Sequence, residues 1–430
     1  MIESSTEALE PYLETMRNLR RTIHRRPETG WTEFETTRTV VDELEALGWR
    51  VRKGCEVIEP SAVRGRNELE VKAAQERALA HGVPAGFLAE LGGFTGAAAD
   101  WDTGREGPLT VFRFDIDCVS VEESHAAPHV PAIEGFDSTI PGAMHACGHD
   151  AHTAVGLTLA RWIRDNSARL KGRFRLLFQP AEEGTRGGAA MAAAGLVDDA
   201  DYFFGSHVGM VCRSGSAVVL SGGFLATTKI DLSFTGVASH AGAEPEKGRS
   251  ALLAAAATAL MIQGIPRHGA GDTRISIGTL HAGEGRNVTP VHAALQLETR
   301  GETHEVNAFL VESVRRTVEG AAAAYGVEAL MDIAGEATTL LTTPAGVNLL
   351  AEAAREVFGT ESVEVRSSMT GSEDCTTLMR RAVEKGADGA FLIYGCTKPF
   401  HHKPTFDVDE TTDLLPGLAV LANVVCKTNG

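Results

Sequence analysis

Apolar residues recur along the first half of the chain in two alternating patterns. Helical spacing predicts five helices, at residues 7–26, 32–47, 69–80, 151–163 and 188–194. Short apolar runs predict three buried strands, at residues 109–114, 174–178 and 202–206. Alternating helices and strands are typical of an α/β fold, in which helices cover a mixed, mostly parallel sheet. In such sheets the chemistry collects at the carboxyl ends of the strands.

The order of elements changes near residue 225. Strands are predicted at residues 229–235, 274–280, 293–299 and 327–333, and helices at residues 249–263 and 304–325. This βαββαβ order is that of a compact, two-layer α+β domain of the ferredoxin-like kind. Helix and strand alternate again after residue 344. We therefore predict that residues 225–336 form a small domain inserted into a larger one, which consists of residues 1–224 and 337–430.

Composition and charge narrow the class of protein. The 430 residues carry a net charge of -17, which disfavours binding to nucleic acid or to an anionic membrane. No apolar run is long enough to span a bilayer, and the acidic N-terminus lacks the apolar core of a signal peptide. The seven cysteines are odd in number and have no repeated spacing, which favours reduced thiols. We expect a soluble, cytoplasmic protein.

The most reactive-looking stretch is residues 145–152, in which Cys147 and His149 stand two positions apart between two further histidines. Thiolate and imidazole are ligands that zinc-like cations prefer. Taken alone, the pair is equally compatible with a buried cysteine and a structural histidine. Either His145 or His152 could support the site from behind or face solvent.

Further ligand-like groups follow predicted strands. Glu182 and Glu183 come after the strand at residues 174–178, and His207 comes after the strand at residues 202–206. Adjacent carboxylates on an extended backbone point in different directions, so one can bind a metal while the other accepts a proton from water. A solvated surface pair is the alternative reading of the glutamates. Of the doublet His401 and His402, we expect only one to be a ligand.

Five motifs in order resemble the amidohydrolase branch of the co-catalytic metallopeptidases, which includes hippurate hydrolase and the indole-3-acetyl-amino-acid hydrolases. They are MHACGHDAH at 144–152, FQPAEE at 178–183, SHAG at 239–242, GSED at 371–374 and HH at 401–402. The resemblance extends over nearly the whole chain. It implies a zinc-peptidase-like catalytic domain with an inserted lid domain that also forms the dimer contact.

The resemblance also implies roles for single residues. It makes Glu182 the general base, and Asp117 the residue that orients a ligand histidine. The implied metal ligands, with Cys147 bridging two ions, are Cys147, His149, Glu183, His207 and, of the doublet, His401. The metals would be two divalent ions per chain, manganese or zinc.

In the inserted domain, the resemblance implies that His240 enters the active site of the other protomer and stabilises the oxyanion there. The residues that it implies for substrate binding are Asn287, Arg300, Gly371 and Ser372. Taken alone, His240, Asn287 and Arg300 are ordinary loop and surface residues.

The expected substrate is a small N-acyl amino acid. Within the branch, the chain is most similar to members that cleave p-aminobenzoyl-glutamate into p-aminobenzoate and glutamate, a step of folate catabolism. Cleavage of indole-3-acetyl-aspartate or another aryl-acyl amino acid is the alternative. The partner would be a second copy of the chain, giving a homodimer, or a related chain in a heteromer. The third hypothesis, a non-catalytic metal-binding protein, is disfavoured because every expected position is filled.

Overall fold

A computed structural model describes residues 2–396 and 401–430. The chain divides into two compact units. The larger unit is formed by Met1–Gly223, Leu340–Met369 and Asp374–Gly430, and the smaller by Phe224–Thr339 and Thr370–Glu373.

Strands and helices are numbered in chain order over the described residues. The strands are β1 (Arg50–Lys53), β2 (Ala97–Asp102), β3 (Leu109–Asp115), β4 (Arg173–Gln179), β5 (Tyr202–Arg213), β6 (Ala217–Leu220), β7 (Ala226–Thr235), β8 (Thr273–Ala282), β9 (His292–Gly301), β10 (Glu328–Ala337), β11 (Val363–Arg366) and β12 (Asp388–Cys396). The helices are α1 (Thr6–Leu9), α2 (Leu13–His24), α3 (Phe34–Ala46), α4 (Glu68–Ala80), α5 (Ala85–Glu90), α6 (Val130–Glu134), α7 (His149–Asp165), α8 (Gly188–Ala193), α9 (Ala251–Gln263), α10 (His304–Tyr325), α11 (Pro344–Phe358), α12 (Cys375–Glu384) and α13 (Leu415–Asn429).

The larger unit is built on one sheet in the order β1-β2-β4-β3-β5-β12-β6-β11. The pairs β4–β3, β3–β5, β5–β12 and β6–β11 are parallel, and the other three are antiparallel. Helix α7 packs on β3, β4 and β5, while α11 and α12 pack on β12. Strand β3 is buried along its whole length, as expected of a central strand covered by helices. The predicted α/β class with a mixed, mostly parallel sheet is confirmed.

The smaller unit is a four-stranded antiparallel sheet in the order β10-β7-β9-β8, packed against α9 and α10. Its elements follow the predicted βαββαβ order, and the strand order is that of a ferredoxin-like fold. Alternate residues of β7 and β9 point into its core, including Ile230, Leu232, Leu295 and Leu297. The α+β class of this unit is therefore confirmed.

Three local predictions need correction. The helix predicted over residues 7–26 is divided into α1, a 3-10 turn at Glu10–Tyr12 and α2, because Pro11 lacks the N–H that an uninterrupted helix requires. Strands β1 and β2 escaped notice because their sequences, RVRK and AAADWD, show no apolar alternation. Strand β5 continues to Arg213, so His207 lies within the strand and not after it.

Across the part of the chain that the structure describes, no helix combines the length and apolarity needed to cross a bilayer.

Candidate active site

The site begins at the carboxyl ends of two neighbouring parallel strands. Asp115 is the last residue of β3 and pairs in register with Gln179, the last residue of β4. The loops that follow therefore leave the sheet side by side, and they carry Asp117 and Glu182. This is the edge at which α/β sheets gather functional groups.

A tight turn before α7 brings Cys147 and His149 to the same edge. Gly148 precedes the helix with a left-handed φ of 86°, which residues with a Cβ rarely adopt. A Cβ at this position would also lie 2.7 Å from Cγ1 of Val208. Glycine thus allows the turn to approach β5, where His207 precedes Val208.

The first donor cluster consists of Cys147, His149 and His207, whose ligand atoms lie within 4.8 Å of one another. The Sγ of Cys147 is 3.5 Å from Nε2 of His207. On the other side of that ring, Nδ1 donates to the carbonyl oxygen of Val208 at 2.7 Å, which leaves the Nε2 lone pair facing the cluster. Burial and the surrounding imidazoles hold the pKa of His207 well below its ordinary value. Neutral imidazole is the form that binds metals.

A second cluster shares the same thiol and consists of Cys147, Glu183 and His402. The Nε2 atom of His402 lies 3.2 Å from Oε1 of Glu183. Burial opposes ionisation of Glu183, but the hydrogen bond from His402 and the nearby His149 lower the pKa of this carboxyl. Because Cys147 belongs to both clusters, its sulfur is placed to bridge two cations.

His401 is placed differently from its neighbour. Its Nε2 donates to the carbonyl oxygen of Val208 at 3.1 Å, and its ring packs 4.9 Å from that of Phe406. His402, which has a left-handed φ of 59°, reaches the carboxylate of Glu183 instead. The sequence-based choice of His401 as ligand is therefore replaced by His402, because consecutive side chains on this turn diverge.

Two further histidines of the same motif lie behind the clusters. His152 has both ring nitrogens engaged, since Nδ1 contacts Asp115 and Nε2 accepts the N–H of Val208 at 2.9 Å. His145 is buried with its ring centroid 6.2 Å from that of His24. Neither is exposed to solvent, and His152 has no nitrogen available for a metal.

Asp117 organises the ligands from beneath. Its Oδ1 accepts from Nδ1 of His149 at 3.2 Å and from the backbone N–H of Glu182 at 3.1 Å, and its Oδ2 accepts from the N–H of Glu183 at 2.9 Å. The contact directs the other nitrogen of His149 into the cluster. The predicted contact between Asp117 and a histidine of the cluster is present.

The donor set fits divalent cations of the zinc and manganese type. Nε2 of His149 is buried and has no hydrogen-bond partner among the described residues. Burial raises the pKa of the Cys147 thiol well above its ordinary value, and a coordinating cation is what would deprotonate it. The Oε2 of Glu182 lies 3.9 Å from Nε2 of His149, beside the cluster. Thiol, imidazole and carboxylate thus converge around one buried nitrogen without a partner.

The remaining predicted residues belong to the smaller unit. Nδ1 of His240 accepts the N–H groups of Gly242 and Ala243 at 3.1 and 3.0 Å, so the ring proton of the neutral side chain is on Nε2. The loops of His240 and Asn287 are adjacent, since the N–H of Ala241 donates to the carbonyl oxygen of Asn287 at 3.3 Å. His240 is an exposed donor and shares this corner with the exposed Asn287.

Arg300 lies on β9 and forms a two-pronged ion pair with Glu298, at 2.9 and 3.2 Å. A substrate carboxylate would have to share or displace that partner. Gly371 and Ser372 also belong to the smaller unit, where Ser372 has a buried hydroxyl without a hydrogen-bond partner among the described residues.

Two buried residues near the clusters were not predicted. Arg20 donates to Asp150, Asp407 and Glu410, and so joins the residue after His149 to the segment after His402. A signal was present, because Arg20 shares the buried face of α2 with apolar residues, which indicates a paired charge. Glu33 accepts from the backbone of Ala181, and nothing in its local sequence indicates this.

Comparison with known proteins places this site in a family. Residues 111–427 match Peptidase family M20/M25/M40. The chain belongs to this family. It is 42% identical over 409 residues to a homolog, from Haemophilus influenzae, of one of the subunits of p-aminobenzoyl-glutamate hydrolase, with 95% of this chain and 96% of the relative covered. It is also 42% identical over 408 residues to an indole-3-acetyl-aspartic acid hydrolase of Enterobacter agglomerans, with 94% of each covered.

A solved structure supports the same relationship. The aminobenzoyl-glutamate utilization protein from Klebsiella pneumoniae superposes with a TM-score of 0.82 at 38% identity, covering 98% of this chain and 97% of that one. The predicted resemblance is confirmed.

Proposed function

We propose that this chain is a dinuclear-metal amidohydrolase that cleaves p-aminobenzoyl-glutamate to p-aminobenzoate and glutamate. Membership of the metallopeptidase family and the hydrolase relatives establish the metal-dependent amidohydrolase class. The observation that carries the proposal is the pair of donor clusters that share Cys147, with the carboxylate of Glu182 beside them.

Each cation would have its own ligands in addition to the shared thiolate. We assign Cys147, His149 and His207 to one cation and Cys147, Glu183 and His402 to the other. Manganese or zinc in these positions would polarise the amide carbonyl and lower the pKa of water.

Glu182 acts as the general base of the reaction. Its carboxylate takes a proton from the attacking water and returns it to the amide nitrogen as the leaving amine departs. Asp117 fixes the backbone from which Glu182 projects, and it holds His149 through Nδ1. The oxyanion receives a hydrogen bond from Nε2–H of His240.

The choice of substrate follows from the relatives. One is a p-aminobenzoyl-glutamate hydrolase homolog and another an indole-3-acetyl-aspartic acid hydrolase, at equal identity. Both names describe an aromatic acyl group joined to an acidic amino acid. Hydrolysis of indole-3-acetyl-aspartate is therefore the second candidate, with the same chemistry, and Arg300 and Asn287 are the groups assigned to the substrate carboxylates.

A product-resolved assay tests the proposal. Metal-free protein is loaded with manganese or zinc and incubated separately with p-aminobenzoyl-glutamate, indole-3-acetyl-aspartate and benzoyl-glycine. We expect p-aminobenzoate to be released fastest. Faster release of indole-3-acetate would favour the second candidate. Two bound metals without cleavage of any compound would contradict the proposal and favour a non-catalytic protein.

We also propose that residues 225–336 form a lid through which the chain associates with a second copy or a related chain. Helix α9 is apolar nearly all round, which is typical of a helix that is covered on several sides. Yet Leu253, Leu260 and Met261 are 52, 78 and 48% exposed. This apolar surface supports a contact between protomers. All seven cysteines are free, in keeping with a role in cytoplasmic folate catabolism.

A further inference from the structure

We propose that Glu33 is a positioning residue for the general base Glu182, a role that rests on the function proposed above. Glu33 is fully buried. Its Oε1 accepts the backbone N–H of Ala181 at 2.8 Å, and its Oε2 accepts the hydroxyl of Thr95 at 2.6 Å. A residue far away in the sequence thus holds the turn on which the base is mounted.

The turn is held at three consecutive backbone amides. Glu33 accepts the N–H of Ala181, and Asp117 accepts those of Glu182 and Glu183 at 3.1 and 2.9 Å. Ala181 has a left-handed φ of 52°, an unfavourable conformation for a residue with a Cβ. Such strain persists only where surrounding contacts impose it. For Ala181, the buried carboxylate of Glu33 is one of these contacts.

The two carboxylates of the turn depend on Glu33 to different degrees. Glu183 is also held by its contact with His402 and, in the proposed enzyme, by a cation. Relaxation of Ala181 moves the adjacent Cα of Glu182 most directly. A displacement of about 1 Å at a catalytic group can cost roughly a hundredfold in rate. Removing Glu33 should therefore reduce turnover more than it reduces metal binding.

Glutamine can replace Glu33 in both contacts. Its amide oxygen accepts the N–H of Ala181, and the Thr95 hydroxyl can rotate to accept from the amide NH₂. Alanine makes neither contact. Comparing Glu33→Gln with Glu33→Ala therefore separates loss of the contacts from loss of a carboxylate.

Glu28 offers a matched control. It is also a buried carboxylate that accepts backbone amides, from Glu35 at 3.2 Å and Thr36 at 2.8 Å. These partners belong to α3, and the side chain also pairs with Arg77. Glu28→Gln thus perturbs a comparable buried acid that makes no contact with the turn at Ala181.

The experiment measures kcat, KM and bound metal for the metal-loaded full-length variants, with p-aminobenzoyl-glutamate as substrate. We expect Glu33→Ala to lose about ten- to a hundredfold in kcat, with two metals bound and KM changed less than about twofold. Glu33→Gln and Glu28→Gln should stay within about threefold of wild-type kcat. Unchanged kcat in Glu33→Ala, an equal loss in Glu28→Gln, or a loss that follows missing metal would overturn the proposal.

A milder variant keeps the proposal testable if Glu33→Ala does not fold. Thr95→Val removes one of the two donors to Glu33 and should lower kcat severalfold, and Thr95→Ser should restore it; equal kcat for valine and serine would overturn the proposal. Activity of the wild-type enzyme is measured first. A wild type that carries two metals and cleaves nothing refutes the proposed function, whereas an active wild type with unaffected variants refutes only the role of Glu33.

Discussion

Replacing Asp117 with asparagine should weaken the metal centre without changing the shape of the side chain. The carboxylate accepts three donors: Nδ1–H of His149 and the backbone N–H of Glu182 at one oxygen, and the N–H of Glu183 at the other. An asparagine amide has one oxygen and one NH₂ group. In either orientation, its NH₂ group opposes at least one of these N–H groups.

The least costly orientation places the amide oxygen toward His149 and Glu182. The NH₂ group then faces the N–H of Glu183, and one hydrogen bond to a charged group is lost, which costs about 1.5–3 kcal/mol. At about 1.4 kcal/mol per factor of ten, this corresponds to roughly 10- to 100-fold. The same range is typical of mutating a residue that orients a metal ligand.

The assay measures metal affinity by competition with a chelating dye, together with kcat on p-aminobenzoyl-glutamate. We expect Asp117→Asn to lose about 10- to 100-fold in affinity or in kcat. Glu28→Gln, at a buried acid away from the clusters, should bind metal like the wild type. If Asp117→Asn retains both quantities within twofold, the hydrogen bonds of Asp117 do not organise the centre and the reasoning fails.

Three other predictions concern stability and assembly. Arg20→Met should lower the free energy of unfolding by about 3–5 kcal/mol, because three buried carboxylates lose their shared cation; urea denaturation checks this, and a loss below about 1 kcal/mol would contradict it. Burial opposes protonation of His24, but the Asp150 carboxylate outweighs it and raises the pKa of His24 to about 9. The stabilisation, about 3 kcal/mol from the shift of the pKa, is complete below about pH 6.5 and is lost as pH rises through about 9; unfolding measured from about pH 6 to 10 should show this fall in the wild type and not in His24→Gln. If His240 acts across a dimer, mixed Glu182→Gln and His240→Ala chains should regain roughly a quarter of wild-type activity, whereas action within one protomer would give no recovery.

Much of the fold follows from local pattern. The buried strands of the larger unit and the βαββαβ order of the smaller unit have clear apolar periods, so they were predicted. Strands β1 and β2 were not, because RVRK and AAADWD derive their stability from pairing with neighbours and not from their own apolar residues. The break at Pro11 was visible in the sequence, but the apolar spacing on either side of it concealed its effect.

The site was predictable where chemistry and spacing coincide. Cys147, His149 and the glutamate pair are unusual enough as residue types to indicate metal chemistry. The choice between His401 and His402 depends on a left-handed φ at His402, which a doublet of identical residues does not reveal. Glu33 could not be recognised either, because its partner at Ala181 is brought near only by the folded sheet.

Titration of the metal-free enzyme tests the central claim most directly. Manganese or zinc is added in known ratio to the chain under tight-binding conditions, and p-aminobenzoate release from p-aminobenzoyl-glutamate is followed at each step. The account predicts that hydrolysis rises with added metal and reaches its plateau at two ions per chain. Full activity without metal, or a plateau at one ion, would contradict a two-metal centre bridged by Cys147.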